Sequence, residues 1–140
     1  MAPMIEAMPQ RPAHILVIED DSGIASVLER GLGLRGWTVT VAEHGLAGRD
    51  AWQEGAYDVA IVDVMLPGIN GIDLLAERRA AGDRTPVILL TARDEESYRV
   101  QGTAAGADEY MTKPFAYRDL IASVEQLIAR GRSTQTERRQ

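Results

Sequence analysis

Asp63 is the residue of this sequence that is best placed to carry out chemistry. It ends the apolar run at residues 59–62, and the Pro- and Gly-bearing loop Leu66-Pro67-Gly68 follows within a few residues. This pattern predicts a lone carboxylate at the end of a buried strand. A carboxylate held in this way can act as a nucleophile and form an aspartyl phosphate.

Three other predicted strands also end in polar residues. Glu19 and Asp20 follow the run at 14–18, Thr91 follows 87–90, and Lys113 follows the segment 108–112. Carboxylates that share a crevice repel one another, so a cation is needed to compensate for them. Oxygen ligands without His or Cys suit Mg²⁺, which also polarises a phosphoryl group. Thr91 and Lys113 would then bind phosphoryl oxygens.

Each of these residues also has an ordinary structural explanation. An acid after a strand is often a helix N-cap, and Asp21 and Ser22 fit that role better than a metal role. Glu19 could be solvated, Thr91 could be a simple strand threonine, and Lys113-Pro114 could be a turn. Lys113 is, however, the only lysine beside fourteen arginines, which favours a site that needs a flexible point charge. The coincidence of all four positions at strand ends favours a shared site.

The segments that would position these groups alternate between strand and helix patterns. The predicted strands cover residues 14–18, 37–42, 58–62, 87–90 and 108–112. The predicted helices cover residues 22–36, 46–54, 72–81 and 94–105, followed by a last helix that ends by Gly131. The first helix is predicted to turn Ile24, Val27, Leu28 and Leu32 toward the core.

This alternation predicts an α/β fold with a parallel sheet and helices on both faces. Three of the strands are apolar throughout, as strands buried on both faces are. We therefore predict a doubly wound, flavodoxin-like sheet of five parallel strands in the order 2-1-3-4-5, with its site at the carboxyl ends of the strands. That order places the acids of strand 1 about 5 Å from Asp63 and Lys113 about 10 Å away across two strand spacings.

Length and composition set further limits. The 140 residues fit one domain, and the absence of cysteine excludes a disulfide framework. No stretch is long enough to span a membrane, and the N-terminus does not resemble a signal peptide, so a cytoplasmic protein is expected. The net charge of −6 argues against direct nucleic-acid binding. We predict a disordered leader at 1–13, a domain at 14–130, and a tail or start of a linker at 131–140 that is unstructured from Arg132.

Four stretches together resemble the receiver domain of two-component response regulators. They are Ile15-Leu16-Val17-Ile18-Glu19-Asp20-Asp21, Val62-Asp63-Val64-Met65-Leu66-Pro67-Gly68 through Gly71, Leu90-Thr91-Ala92-Arg93, and Gly106-Ala107-Asp108-Glu109-Tyr110-Met111-Thr112-Lys113-Pro114-Phe115. The similarity covers about residues 13–130, and the combination is far more specific than any one motif. The third and fourth stretches most resemble the winged-helix transcription-factor subfamily.

The resemblance implies that Asp63 is the phosphoacceptor, which takes a phosphoryl group from a sensor histidine kinase. Asp20 would bind Mg²⁺ (or Mn²⁺) directly, Glu19 would bind it directly or through water, and the Met65 backbone carbonyl would complete the ligands together with Asp63. A domain of this kind is a signalling switch and not a turnover enzyme.

The resemblance also implies how the switch works. Thr91 and Lys113 would bind the phosphoryl group, and Tyr110 would turn inward as Thr91 moves toward the phosphate. The Lys113-Pro114 peptide bond would be cis, an isomer that is common only before proline. Phosphorylation would shift a two-state equilibrium that is read on the face formed by the fourth helix, fifth strand and fifth helix.

The same face would form a homodimer in the winged-helix subfamily through exposed ion pairs. The candidate residues for these pairs are Arg99, Asp108, Glu109, Asp119 and Arg130. Two positions depart from the subfamily pattern, because Ser123 stands where Arg is typical and Glu125 stands where a basic residue is common. Single surface ion pairs contribute little, so dimerisation is expected to be weakened rather than lost.

Other functions remain open at this point. Ten residues follow Arg130, which fits a receiver whose transcriptional output domain is absent from this chain or a stand-alone receiver. A phosphate-independent interaction module is a second alternative, although such modules usually lack one of the key residues. A haloacid-dehalogenase-type phosphatase would need a second Asp two residues after a nucleophile that follows strand 1, and the region of Asp20 lacks this spacing. A dinucleotide-binding domain would need a G-x-G-x-x-G motif, and none follows strand 1.

Overall fold

The computed structural model describes the backbone of residues 11–92 and 95–139, with side chains through residue 132. Five strands alternate with five helices along the chain. The strands are β1 (His14–Ile18), β2 (Thr38–Ala42), β3 (Val59–Asp63), β4 (Val87–Thr91) and β5 (Glu109–Thr112). The helices are α1 (Ser22–Leu34), α2 (Gly45–Glu54), α3 (Gly71–Ala80), α4 (Glu96–Ala105) and α5 (Tyr117–Arg139).

The five strands form one parallel sheet in the order β2-β1-β3-β4-β5. This confirms the predicted doubly wound topology, with β2 at one edge. β3 and β4 are buried at every residue, because helices cover both faces of a parallel sheet. The carboxyl ends of the strands therefore meet at one rim of the domain.

The sheet separates two hydrophobic clusters. Ile15 and Val17 of β1 point into a cluster with α1 and α5. Leu16 and Ile18 point into a second cluster, which contains Trp52 of α2 as well as residues of α3. Each strand contributes to both clusters, because successive side chains point to opposite faces.

One helix-face prediction is wrong. Leu28 and Leu32 are buried as predicted, but Val27 is 62% exposed. Asp21 caps α1 by accepting a hydrogen bond from the Ile24 N–H at 3.0 Å, which confirms the predicted N-cap role. Val27 lies at the edge of the apolar stripe of α1, and periodicity alone does not distinguish such an edge residue from the residues that face the core.

Ordered residues extend beyond both ends of the predicted domain at 14–130. Residues 1–10 of the predicted leader lie outside the described residues, but Ala13 is buried and its carbonyl accepts from the Thr38 N–H at 2.8 Å. The prediction of an unstructured segment from Arg132 is also wrong, because α5 continues to Arg139. Glycine inside a helix costs only about 1 kcal/mol relative to alanine, so Gly131 alone does not end α5.

A tether at the opposite rim from the carboxyl ends joins the start and end of the domain. The Arg11 guanidinium makes two 3.0 Å contacts with the Asp58 carboxylate. Arg132 donates to the Arg11 carbonyl at 2.9 Å. Burial alone would raise the pKa of Asp58, but hydrogen bonds from Arg11 and the His14 N–H hold that pKa below its ordinary value. None of the described helices is both long and apolar enough to cross a membrane.

Candidate functional site

The sheet register places the predicted site residues at the same rim. Ile18 pairs with Val62, so Glu19 and Asp63 occupy equivalent positions at the ends of β1 and β3. Thr91 is the last residue of β4 and pairs with Thr112, directly before Lys113. The Lys113 N–H donates to the Thr91 carbonyl at 2.7 Å, so the backbone of the β4 end fixes the start of the lysine loop.

Three carboxylates and one ammonium group converge at this rim. Glu19, Asp20 and Asp63 each offer a carboxylate oxygen, and these three atoms lie within 4.8 Å of one another. The Lys113 Nζ lies 2.6 Å from Glu19 Oε1 and 3.3 Å from Asp63 Oδ2. The structure therefore brings together four of the predicted residues, and the lysine side chain spans the whole predicted separation.

Burial makes this cluster electrostatically costly. Glu19 and Asp63 are buried, whereas Asp20 is exposed. Burial raises the pKa of Glu19 to about 7; the Asp63 carboxylate adds to this rise, and Lys113 opposes it. Burial would lower the pKa of Lys113, but its two carboxylate partners hold that pKa above its ordinary value. Lys113 alone leaves negative charge uncompensated.

The donor set fits a hard divalent cation. Three carboxylates lie close together, and all of their ligand atoms are oxygens, which Mg²⁺ and Mn²⁺ prefer. One of the three acids is exposed, so the site opens to solvent. Mg²⁺ usually keeps several waters beside one or two carboxylates, and an open acidic site permits this.

The backbone around Asp63 is tightly constrained by the start of α3. The Gly71 N–H donates to the Val64 carbonyl at 2.8 Å. A Cβ atom at Gly71 would lie only 2.2 Å from the Asp63 carbonyl oxygen. The Met65 N–H donates to Asp63 Oδ1 at 3.1 Å, and the Met65 side chain is exposed. The close approach of Gly71 to Asp63 was not predicted from the sequence, where the Asn70-Gly71 pair at the helix start was the available signal.

Comparisons with known proteins agree with this geometry. Residues 15–125 match the response regulator receiver domain family. The chain belongs to this family. The predicted resemblance is confirmed, and so is the predicted fold.

The curated relatives are named as transcriptional regulators. The chain is 44% identical over 124 residues to the uncharacterized transcriptional regulatory protein YkoG of Bacillus subtilis, a match that covers 89% of this chain and 54% of YkoG. It is 42% identical over 123 residues to the probable transcriptional regulatory protein SilR of Salmonella typhimurium, with 88% of this chain and 54% of SilR covered. The chain thus spans about half the length of these relatives. Their names agree with the predicted winged-helix subfamily.

Solved receiver structures superpose over nearly their whole length. The Francisella response regulator 1452 receiver domain is 35% identical, with a TM-score of 0.82, and the match covers 85% of this chain and 98% of that chain. Response regulator TrrA of Thermotoga maritima, solved in complex with Mg²⁺-BeF, is 34% identical with a TM-score of 0.74, and covers 82% and 98%.

The predicted switch residues of this receiver domain lie on adjacent strands, Thr91 at the end of β4 and Tyr110 in β5. Thr91 is fully buried and Tyr110 is half-buried. Tyr110 packs against the second hydrophobic cluster. The Lys113-Pro114 peptide bond is cis, as predicted. Arg93 of the third matching stretch lies outside the described residues.

The candidate dimer residues make contacts within the chain. Arg130 pairs with Asp108 at 2.8 Å. Ser123 Oγ donates to Glu109 Oε1 at 3.1 Å. Asp119 lies exposed in the first turn of α5.

Glu125, the second position that departs from the subfamily pattern, makes its ion pair with a residue outside the candidate dimer face. That residue is Arg35, at the end of α1. Arg99, the remaining candidate, lies over the Tyr110 ring.

An apolar groove of about 460 Å³ lies next to Lys113. One wall is α1, with Ile24 and Val27, and the other is formed by Pro114 and Phe115 of the loop after β5 and by Tyr117 at the start of α5. The sequence analysis did not predict this groove, because it assigned Val27 to the core. We define these five residues as the α1 groove.

Proposed function

We propose that Asp63 of this receiver domain accepts a phosphoryl group from a phosphohistidine of a sensor histidine kinase. The observation that carries the proposal is the convergence of Glu19, Asp20 and Asp63 with Lys113 Nζ at the carboxyl rim of the sheet. Asp63 is fixed by backbone contacts on both sides of its strand end. A fixed carboxylate beside a cation is suited to nucleophilic attack.

The transfer step conserves the phosphoryl group. An Asp63 carboxylate oxygen forms the new O–P bond as the N–P bond to the kinase histidine breaks, and the imidazole nitrogen keeps the electron pair. Lys113 Nζ and the Thr91 hydroxyl bind phosphoryl oxygens as the charge on them redistributes. Later hydrolysis by water returns the carboxylate and inorganic phosphate.

Glu19, Asp20, Asp63 and the backbone carbonyl of Met65 are the proposed ligands of Mg²⁺ or Mn²⁺. When bound, the metal neutralises carboxylate charge and polarises the phosphoryl group. The excess of carboxylates over ammonium groups in the cluster supports this assignment.

The α1 groove is the proposed docking surface for the kinase. It begins beside Lys113, so a helix lying in the groove would bring a phosphohistidine close to Asp63. Val27 is 62% exposed and Tyr117 is 37% exposed, which gives an apolar surface for a partner to cover. The kinase would thus be recognised on the face formed by α1 and the loop before α5.

Phosphorylation is proposed to act through Thr91 and Tyr110 on the face formed by α4, β5 and α5. The transcriptional relatives support control of transcription through an output domain, with residues 131–140 as the start of a linker. Homodimerisation through this face, with Arg99, Asp108, Glu109, Asp119 and Arg130, is part of the proposal. We propose a cytoplasmic signalling protein that is not a turnover enzyme and that makes no direct nucleic-acid contact through this domain.

The test is phosphate incorporation from acetyl phosphate, with and without Mg²⁺, measured by intact-protein mass spectrometry. We expect one phosphoryl group on the native protein, dependence on the metal, and no incorporation in Asp63→Asn. The matched control is Asp73→Asn, which changes an exposed acid in the first turn of α3. Equal incorporation in native protein and Asp63→Asn would refute the proposal, and a native protein that takes no phosphate would favour a phosphate-independent interaction module.

A further inference from the structure

The Tyr110 ring lies in a slot formed by one turn of α4. The Arg99 guanidinium carbon is 4.8 Å from the centroid of the ring. Three residues further along the same helix face, a Cβ at Gly102 would lie 3.4 Å from Tyr110 Cδ2. Residues at i and i+3 are neighbours on a helix surface. One face of α4 therefore lies beside the ring, with the Arg99 guanidinium over the ring and Gly102 next to it.

Arg99 also reaches the strand that carries Tyr110. Its Nη2 atom donates to Thr112 Oγ1 at 3.3 Å. Thr112 directly precedes Lys113 and pairs with Thr91 across the sheet. The same guanidinium thus contacts the proposed switch residue and the residue next to the proposed phosphate-binding lysine.

The slot depends on the lack of a side chain at Gly102. A Cβ there would lie 2.8 Å from Leu89 Cδ1, and Leu89 is fully buried in β4. The glycine lets α4 lie directly on β4 and β5. Because α4 packs this closely on the sheet, its position depends on the position of the Tyr110 ring.

We propose that Arg99 is a positioning residue that couples the orientation of the Tyr110 ring to α4. This inference rests on the proposed function, because it assigns to Arg99 the mechanical link between Tyr110 and the surface. The guanidinium attracts the face of the ring through the cation–π interaction. Movement of the ring breaks this contact and leaves the Arg99 side chain, and with it the exposed edge of α4, in a different arrangement.

The experiment uses ¹⁹F NMR on the whole chain labelled with 3-fluorotyrosine. The protein has four tyrosines, and Tyr110→Phe identifies the resonance of interest. Spectra are recorded without additions and with Mg²⁺ plus beryllofluoride as the phosphoryl analogue. Arg99→Met keeps the aliphatic part of the side chain, and Arg99→Lys keeps the positive charge. The matched control is Arg30→Met, which changes an exposed arginine of α1.

In Arg99→Met we expect a displaced Tyr110 resonance before any addition. We also expect the ratio of the inward to the outward population of the ring to change by about two- to fivefold, the factor expected from loss of one half-buried cation–π contact. Arg99→Lys should restore part of the difference, which loss of packing alone would not do. Arg30→Met should match the native protein.

The inference is overturned if Arg99→Met and native protein give the same Tyr110 resonance in both conditions while the native resonance responds to beryllofluoride. A native resonance that does not respond to beryllofluoride refutes the proposed switch itself, and the two failures are thus distinct. Circular dichroism of each variant confirms that the comparison is between folded proteins.

Discussion

Replacing Gly71 with alanine adds a methyl group where the backbone at the end of β3, which carries the proposed phosphoacceptor Asp63, already lies. The new Cβ would be 2.2 Å from the Asp63 carbonyl oxygen and 3.0 Å from both the Asp63 carbonyl carbon and the Val64 Cα. All three atoms belong to the backbone, so no side-chain rotation relieves the contact. Restoring even a 3.0 Å separation requires the strand end and α3 to move apart by at least 0.8 Å.

A displacement of this size has two expected effects. Misplacing a reacting group by about 1 Å costs up to about 100-fold in rate, so we expect Gly71→Ala to be phosphorylated by acetyl phosphate about 10- to 100-fold more slowly. Forcing an extra methyl into a packed region also costs about 1–3 kcal/mol of unfolding free energy. Initial rates are measured by mass spectrometry at saturating Mg²⁺, and stability by urea unfolding.

Gly33→Ala is the control for this change. Gly33 is also helical, and no heavy atom lies within 4 Å of the site of its Cβ. Alanine there should raise the unfolding free energy by about 0.5–1 kcal/mol and leave the phosphorylation rate at the native value. A folded Gly71→Ala that is phosphorylated as fast as the native protein would show that this close approach does not position Asp63.

Three further outcomes are expected. The pKa of Asp58 is lowered in the folded protein. The contribution of Asp58 to the unfolding free energy is therefore complete above its unfolded-state pKa of about 3.9 and is lost as pH falls through its folded-state pKa. Urea unfolding of Asp58→Asn should show lower stability than native protein at pH 7 and equal stability in strong acid. Leu74→Ala should lose about 2–5 kcal/mol of unfolding free energy because Leu74 is fully buried. The control Leu34→Ala changes a side chain that is 83% exposed and should stay within about 0.5 kcal/mol of the native protein. Equal losses in the two variants would contradict the packing argument. Val27→Glu should slow transfer from the kinase about tenfold more than it slows labelling by acetyl phosphate, and equal effects on both donors would remove the groove from the proposal.

The sequence predicted the sheet and most of the site because the relevant signals are local. Apolar runs such as 59–62 mark buried strands, and polar residues that follow these runs must lie at the carboxyl rim once the strands are parallel. The positions of Glu19 and Asp63 therefore followed from the strand order. The 4.8 Å cluster that they form with Asp20 agrees with the predicted strand spacing.

Features set by contacts between distant segments were not predictable in the same way. Val27 fits the periodicity of the core face, but the loop around Phe115 leaves an open groove beside it. The closeness of Gly71 to Asp63 depends on how α3 is seated. The length of α5 was underestimated because Gly131 was given the weight of a helix end, although the Arg132 contact with Arg11 lies beyond it.

The division of the core by the sheet has an evolutionary consequence. The α1 groove borders the hydrophobic cluster shared by α1 and α5, whereas the Tyr110 slot belongs to the cluster on the other face. Under the proposed function, substitutions in the groove that change which kinase is recognised would therefore lie on the opposite face of the sheet from substitutions in the Tyr110 slot. A duplicated gene of this kind would acquire a new kinase through α1 while it inherits the Tyr110 slot unchanged.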